Sequence, residues 1–449
     1  MAKVTFFTGV GSVTGANFLL ETGQSRILID CGLIQGDREA IKENRNPFGY
    51  EPSSIDILFI THAHLDHVGR IPKLVKEGFG GTIYSTPETK SLAELILGDA
   101  VGLMTHEAQR EGLPPLYSTD DVKKALSLWQ TIPYHTETSF KDFSLYIKDA
   151  GHILGSGMLQ FTVDKKKIVF TGDLGNSPTP LLRDTESIEG AEYVIMESVY
   201  GDRNHEPKEL RVEKLIKIIK DTHSKGGTLI IPAFSLERTQ VILYEINKLV
   251  ESHMIPSTPV FVDSPLATKV TDVYQNSTHL FNEKAQEEIR KGDDLFNFPR
   301  LLYTESREAS QDIDHTKGPK IIIAGSGMSV GGRVRHHEEI YLPDPRNTVL
   351  LVGYQTLGSV GRYLLDGAKK VNIGGNEVQV KAKIESIMGY SSHKDSDNLV
   401  EFIGTAQDTL KKVFVVMGEP KASTFLAQRI NDEVGVEAVC PERGVGYTI

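Results

Sequence analysis

Apolar residues in this chain come in short runs that stop abruptly at a polar residue or a glycine. Val4–Thr8, Asn17–Glu21 and Arg26–Asp30 read as strands separated by turns, and Ile57-Leu58-Phe59-Ile60 reads as a fourth. A continuous apolar run of this length, bounded by turn signals, is the mark of a buried strand. Pro87–Gly98 and Asp120–Leu128 carry helical spacing, and strands return at Phe143–Ile147 and Lys167–Thr171. From about 206 to 385 the rhythm changes. Strands at Thr228–Pro232, Pro259–Asp263, Lys320–Ala324 and Thr348–Val352 alternate with amphipathic helical stretches. Such alternation predicts a parallel sheet, so the fold class is α/β.

The residues that end these strands carry the chemistry. Ile57–Ile60 runs into His62-Ala63-His64-Leu65-Asp66-His67, in a loop before a helix. Imidazole nitrogen and carboxylate oxygen are donors that zinc accepts, and six residues supply four of them. Asp30 closes Ile27–Ile29, with Cys31-Gly32 breaking the strand behind it. A carboxylate there can orient a ligand histidine, or serve as an ordinary turn residue. His152 sits in a glycine-flanked loop, Asp149–Ser156, and Asp173 follows Lys167–Thr171. Each alone also reads as a turn or core residue. Together, strand-end His and Asp at 30, 62–67, 152 and 173 predict one metal site at a sheet edge.

Composition narrows the setting. The 449 residues suggest two or three domains, and 39% hydrophobic with 24% charged residues is ordinary for a globular protein. The formal charge is 49 − 60 = −11. That argues against broad nonspecific nucleic-acid binding, yet metal ions and a few arginines can still hold phosphates in a cleft. The opening residues lead straight into strand pattern and do not read as a signal peptide, and no apolar run is long enough to span a membrane. Two cysteines, Cys31 and Cys440, make no disulfide framework, which fits a reducing compartment and a cytoplasmic location. Cys31 reads as a small buried residue rather than a ligand.

His62-x-His64-x-Asp66-His67, followed by His152 and Asp173, resembles the metallo-β-lactamase superfamily. Tyr193–Arg203 resembles the first signature of its β-CASP nuclease subgroup, with Glu197 as the carboxylate. Ala233–Gln240, Ser264–Ala267, Gly325–Arg333 and Gly353–Ser359 resemble phrases of the β-CASP domain. Glu385–His393 resembles the second signature, with His393 as its histidine. The final signature is a histidine before Gly-Glu, and in Val413–Pro420 Met417 stands in its place. The nearest branch is the cleavage-factor-like, RNA-processing one.

The resemblance implies a metallo-β-lactamase αββα sandwich (residues 1–205 and 386–449) with an inserted α/β β-CASP domain (206–385). It implies that His62, His64 and His152 bind one zinc, that Asp66 and His67 bind a second, and that Asp173 bridges them. A thioether is a poor zinc ligand, so Met417 predicts a weaker second site or one completed by water; packing in the core is the other reading of Met417. Asp66, Glu197 and His393 are the expected catalytic groups, the last two as a general-acid pair or as ligand-orienting groups, with Asp30 behind them. Arg203, Arg238, Arg333, Arg335 and Arg362 are candidate phosphate binders, because the guanidinium fork bonds two oxygens; a structural ion pair is the alternative for each. The implied activity is a zinc-dependent ribonuclease acting on single-stranded RNA, as an endonuclease with exonuclease action as a further expectation. The DNA-processing branch carries Val at the position of Met417, so a DNA nuclease is the alternative enzyme. A noncatalytic RNA-binding subunit is the alternative from another class. A homodimer is included among the expected assemblies.

Overall fold

The computed structural model describes residues 2–449 apart from 37, 208 and 357, so Leu357 of the 353–359 loop lies outside the described residues. The chain divides into two compact units, Met1–Asn204 with Ser392–Ile449, and His205–Ser391.

The first unit holds two seven-stranded sheets. One runs Gly446–Thr448, Lys3–Thr8, Asn17–Glu21, Arg26–Ile29, Ile57–Phe59, Thr82–Ser85, Trp129–Thr131. The other runs Glu437–Val439, Lys412–Val415, Tyr193–Met196, Lys166–Phe170, Gly157–Val163, Ser144–Asp149, Thr138–Ser139. Their inner faces meet in one core, where Phe6, Phe18, Ile27, Ile29 and Phe59 face Leu145, Leu159, Phe161, Phe170 and Phe414. Phe59 and Phe161 meet edge-to-face with ring centroids 5.4 Å apart, a favoured aromatic geometry. The outer face of the second sheet (Met158, Val169, Val194, Val413) is covered by helix Ser396–Gly404 through Leu399 and Ile403, and by helix Pro420–Arg429 through Leu426. Both faces of these strands are buried, which is why they read as unbroken apolar runs.

Strand direction places the chemistry. Arg26–Ile29 is parallel to Ile57–Phe59, with Ile29 opposite Phe59. In the other sheet Lys166–Phe170, Tyr193–Met196 and Lys412–Val415 are mutually parallel. The chain therefore leaves five strands at their carboxyl ends into Asp30, His62, Asp173, Glu197 and Met417.

The second unit is built on a six-stranded, wholly parallel sheet, ordered Leu301–Tyr303, Val260–Asp263, Lys320–Ala324, Thr228–Pro232, Thr348–Leu351, Lys383–Ser386. A hairpin, Lys370–Ile373 with Asn376–Gln379, packs Val371, Ile373 and Val378 into the same core.

Two local readings change. The helix expected over Pro87–Gly98 continues to Glu111. A Cβ at Gly98 would meet nothing within 4 Å, so this glycine is tolerated inside the helix, and Gly112 ends it in the left-handed conformation at φ +68°. Asp66 and His67 lie not in a loop but in a one-turn helix, Leu65–Val68. Among the described residues no helix is long and apolar enough to cross a membrane.

Candidate metal centre

The site begins with a buried carboxylate. Asp30 is 1% exposed and sits at φ +57°. Its Oδ1 accepts from the Thr61 backbone N–H and its Oδ2 from Thr61 Oγ1, both at 2.8 Å. His67 Nδ1–H donates to the same Oδ2 at 2.7 Å. With Nδ1 so held, His67 must present Nε2 to the site. The turn behind it is tight: a Cβ at Gly32 would lie 1.5 Å from the Asp66 carbonyl oxygen, so only glycine fits there.

The other imidazoles are fixed in the same manner. Thr61 Oγ1, having given its proton to Asp30, accepts from His62 Nδ1 at 3.1 Å, and His152 Nδ1 donates to the Ser392 carbonyl at 3.2 Å. His62 Nε2 and His152 Nε2 then lie 3.1 and 3.2 Å from His64 Nδ1, and 3.4 and 3.6 Å from Asp173 Oδ2. Zinc with bonds of about 2.0–2.1 Å to nitrogen has tetrahedral ligand–ligand edges of about 3.3–3.4 Å. The four donors span that tetrahedron.

A second set adjoins the first. His67 Nε2 lies 3.4 Å from Asp173 Oδ1 and 3.9 Å from Asp66 Oδ2. His67 Nε2 and Asp173 Oδ1 are buried and have no hydrogen-bond partner. Buried polar atoms are almost always partnered, so two orphans facing one another fit a cation between them. The residues present thus fit one four-donor site, His62, His64, His152 and Asp173, with His67 and Asp66 beside it.

The electrostatics of His64 and His152 agree with a ligand role. Burial, then the neighbouring imidazoles, holds His64 and His152 well below the usual histidine range, in the neutral form that binds metal. Burial also opposes charge on His67, but the Asp173 and Asp30 carboxylates outweigh it and hold this imidazole well above its usual range. Cys31 is buried, and burial pushes its thiol up to about 12, so it stays a neutral packing group.

Beside the donors stands a second polar pair. Glu197 is fully buried, and its Oε1 accepts the Leu174 backbone N–H at 2.6 Å. His393 Nδ1 donates to Glu197, 3.1 Å from each carboxylate oxygen, and its ring centroid lies 4.6 Å from that of His152. Burial lowers His393, but Glu197 more than offsets it and raises the imidazole to about 9. One ligand atom each from Asp173, Glu197 and His393 also falls within 4.8 Å of the others.

Met417 is 2% exposed and packs in the core between the sheets. It adopts φ +49°, with its N–H donating to the Gly9 carbonyl at 2.7 Å and its carbonyl accepting from Ser198 N at 3.3 Å. It also borders a small cavity with Asp30, Thr61, His67, Thr171 and Glu197.

The five candidate arginines divide between the two units. Arg203, in the first unit, lies over the Tyr200 ring at 5.2 Å. In the second unit, Arg238 is buried with Nη2 3.5 Å from Glu237. Arg333 donates to Asp263, the Thr304 carbonyl and the Glu305 carbonyl at 2.7, 2.9 and 2.5 Å. Arg335 Nη2 stands beside Gly374 of the hairpin turn, and Arg362 binds Asp366 one helical turn on. Sequence reasoning passed over Thr61, whose hydroxyl links Asp30 to His62. It also passed over Asp263 and His337, joined at 2.7 Å in the second unit. Asp263 gave the same signal as Asp30 and Asp173, a carboxylate closing an apolar strand.

Comparison with known proteins matches three stretches to family models: a metallo-beta-lactamase superfamily domain over 11–223, a Beta-Casp domain over 239–364, and a Zn-dependent metallo-hydrolase RNA specificity domain over 377–441. The chain is 36% identical over 401 residues to Ribonuclease TTHA0252 of Thermus thermophilus, covering 89% of this chain and 90% of the relative. It is 31% identical over 453 residues to an RNase J-like protein of Methanocaldococcus jannaschii, covering 99% of both. It is 32% identical over 451 residues to transcription termination factor FttA of Methanosarcina mazei, covering 97% of this chain and 70% of that one. A crystal structure of a protein of unknown function from Enterococcus faecalis shares the fold over the full length of both chains, at TM-score 0.57 and 14% identity.

Proposed function

The chain belongs to the metallo-β-lactamase superfamily and carries that superfamily's Beta-Casp nuclease insertion, and from this premise we propose that it is a zinc-dependent ribonuclease hydrolysing phosphodiester bonds of single-stranded RNA, endonucleolytically and with exonuclease action. Its membership makes it a metal-dependent hydrolytic nuclease, and its ribonuclease relatives and RNA specificity domain support RNA as the substrate. The observation that carries the finer reading is the pair of donor sets sharing Asp173, with the His393–Glu197 pair beside them.

In this reading His62, His64, His152 and Asp173 hold one zinc, and Asp66, His67 and Asp173 hold the other. Ions bound there would supply Lewis acidity and neutralising charge for phosphodiester hydrolysis at neutral pH. Asp30 and Thr61 hold the imidazoles of His67 and His62 in the tautomers that leave Nε2 free. Glu197 holds the Nδ1–H of His393, so its Nε2–H is the proton available to the departing ribose oxygen. Asp66 closes the second set from the first turn of its helix. With three protein donors against four, that set would hold its ion more weakly than the first.

A DNA nuclease is the second reading. What favours it is Met417, an apolar residue at the position where the DNA-processing branch carries an apolar one. Cleavage of RNA and DNA oligonucleotides of matched sequence tests the choice: faster RNA cleavage supports the first reading, and preferential DNA cleavage replaces it with the second.

A further inference from the structure

Burial inverts at one residue of the second unit. Between 227 and 247 every residue is buried except Phe234 and the half-buried Ser235. Glu237, Arg238 and Glu245 lie inside this stretch, and all are buried. The one exposed side chain is an aromatic ring, Phe234, at 42%. Charged groups inside and an apolar ring outside is the reverse of what solvation alone produces; a single exposed ring is common, so it is the surroundings of this one that set it apart.

The ring is held in place. Its carbonyl accepts from the Thr239 N–H at 3.2 Å and the Thr239 hydroxyl at 2.8 Å. Thr228–Pro232 and Lys320–Ala324 are neighbouring parallel strands with Pro232 opposite Ala324. Phe234 leaves one strand end and Gly327 the other, and they meet. A Cβ at Gly327 would fall 2.8 Å from Phe234 Cδ2 and 3.0 Å from Cε2, so the ring rests on bare backbone. Gly327 is pinned in turn, its carbonyl accepting from Gln355 Nε2 at 3.1 Å. Next in the chain, the Ser235 and Ser264 hydroxyls meet 3.1 Å apart. This is the carboxyl edge of a parallel sheet, beside a strand flanked on its two sides by Lys320–Ala324 and Thr348–Leu351, the place where open α/β sheets bind ligands.

We propose that Phe234, seated on Gly327, is a stacking platform for an unpaired base of the RNA substrate. A ring seated against backbone and 42% exposed, neighboured by hydroxyls, matches a flat heterocycle carrying a sugar and a phosphate. Base stacking on an aromatic side chain tolerates any base and needs the base out of a duplex, so the platform selects single strands. The inference rests on the ribonuclease reading and adds to it a recognition element within the Beta-Casp segment.

The test uses the full chain stripped of metal with EDTA and a single-stranded RNA carrying 2-aminopurine at successive positions, read by fluorescence quenching and by anisotropy. Phe234→Trp is expected to keep the quenching and the affinity. Phe234→Ala and Phe234→Leu are expected to lose the quenching and to bind about 5- to 150-fold more weakly, the range for one stacked base. KM for RNA cleavage by the metal-loaded variants rises in step. Equal quenching and affinity in folded Ala and Leu variants would overturn the platform and leave the ribonuclease reading standing. Unchanged RNA binding with an altered oligomeric state would make Phe234 a protein contact and overturn it as well. Absence of RNA cleavage by the metal-loaded parent protein would count against the ribonuclease reading itself.

Discussion

His393 Nδ1 lies 3.1 Å from both carboxylate oxygens of Glu197, and the two residues come from segments almost two hundred positions apart. Burial alone would make the imidazole neutral. The carboxylate reverses that and raises it to about 9. A raised histidine is protonated below its shifted pKa and neutral above it, so a step needing its proton runs at neutral pH and fails as pH rises. Bound divalent ions add positive charge, so the alkaline limb of the kcat profile is expected at or below pH 9. His393→Ala and Glu197→Gln are each expected to lower kcat by about 10²–10⁴, with bound metal retained and the alkaline limb lost from the His393→Ala profile. An unchanged limb in that variant contradicts the assignment.

Asp30 holds His67 directly and His62 through Thr61. Asp30→Ala removes the acceptor for His67 Nδ1 and for Thr61. Metal affinity is expected to fall about 10- to 100-fold, chiefly at the site holding His67. Titration with zinc against a competing chelator measures it.

Met417 occupies a left-handed position, φ +49°, where histidine is better tolerated than methionine. Met417→His borders the cavity shared with His67 and Glu197 and adds an imidazole to a three-donor set. Tighter binding of the second ion is expected, read as zinc per chain after dialysis. Unchanged stoichiometry and affinity would refute the link between residue 417 and that site.

In the second unit Asp263 is fully buried and accepts from Thr304 Oγ1, Ser310 Oγ, Arg333 Nη1 and His337 Nε2 at 2.7, 2.6, 2.7 and 2.7 Å. Burial works to raise this carboxyl, but the four donors together hold it well below the usual range. A depressed carboxylate stabilises the fold above its unfolded pKa of about 4 and loses that contribution as pH falls further. Asp263→Ala leaves Arg333 and His337 facing a buried gap and is expected to cost about 3–5 kcal/mol in urea unfolding at pH 7.

Much of this was legible in the sequence because strands buried on both faces announce themselves as apolar runs, and their ends name the site. Asp30, His62 and Asp173 could be read in that way, one residue at a time. The parallel sheet of the second unit followed from its alternation with helices. What escaped had a weaker local signature. Thr61 is one hydroxyl beside a histidine, and only the fold brings it to Asp30. The helix through Gly98 was cut short because a glycine reads as a stop unless its surroundings are known. The arginines were candidates for their two-oxygen fork, with a structural ion pair as the alternative, and Arg333 and Arg362 answer carboxylates of their own unit. Phe234 looked like one more apolar residue until its surroundings set it apart.

The central claim is that two ions sharing Asp173 drive phosphodiester hydrolysis of RNA. It is tested most directly by one assay on one sample: cleavage of 5′- and 3′-labelled single-stranded RNA, with metal content measured on the same protein, for the parent chain and for Asp173→Ala. The account predicts zinc bound to the parent protein with internal cleavage of the RNA, and loss of both metal and hydrolysis in the variant. Near-normal turnover by Asp173→Ala, or no cleavage by a zinc-loaded parent protein, would contradict it.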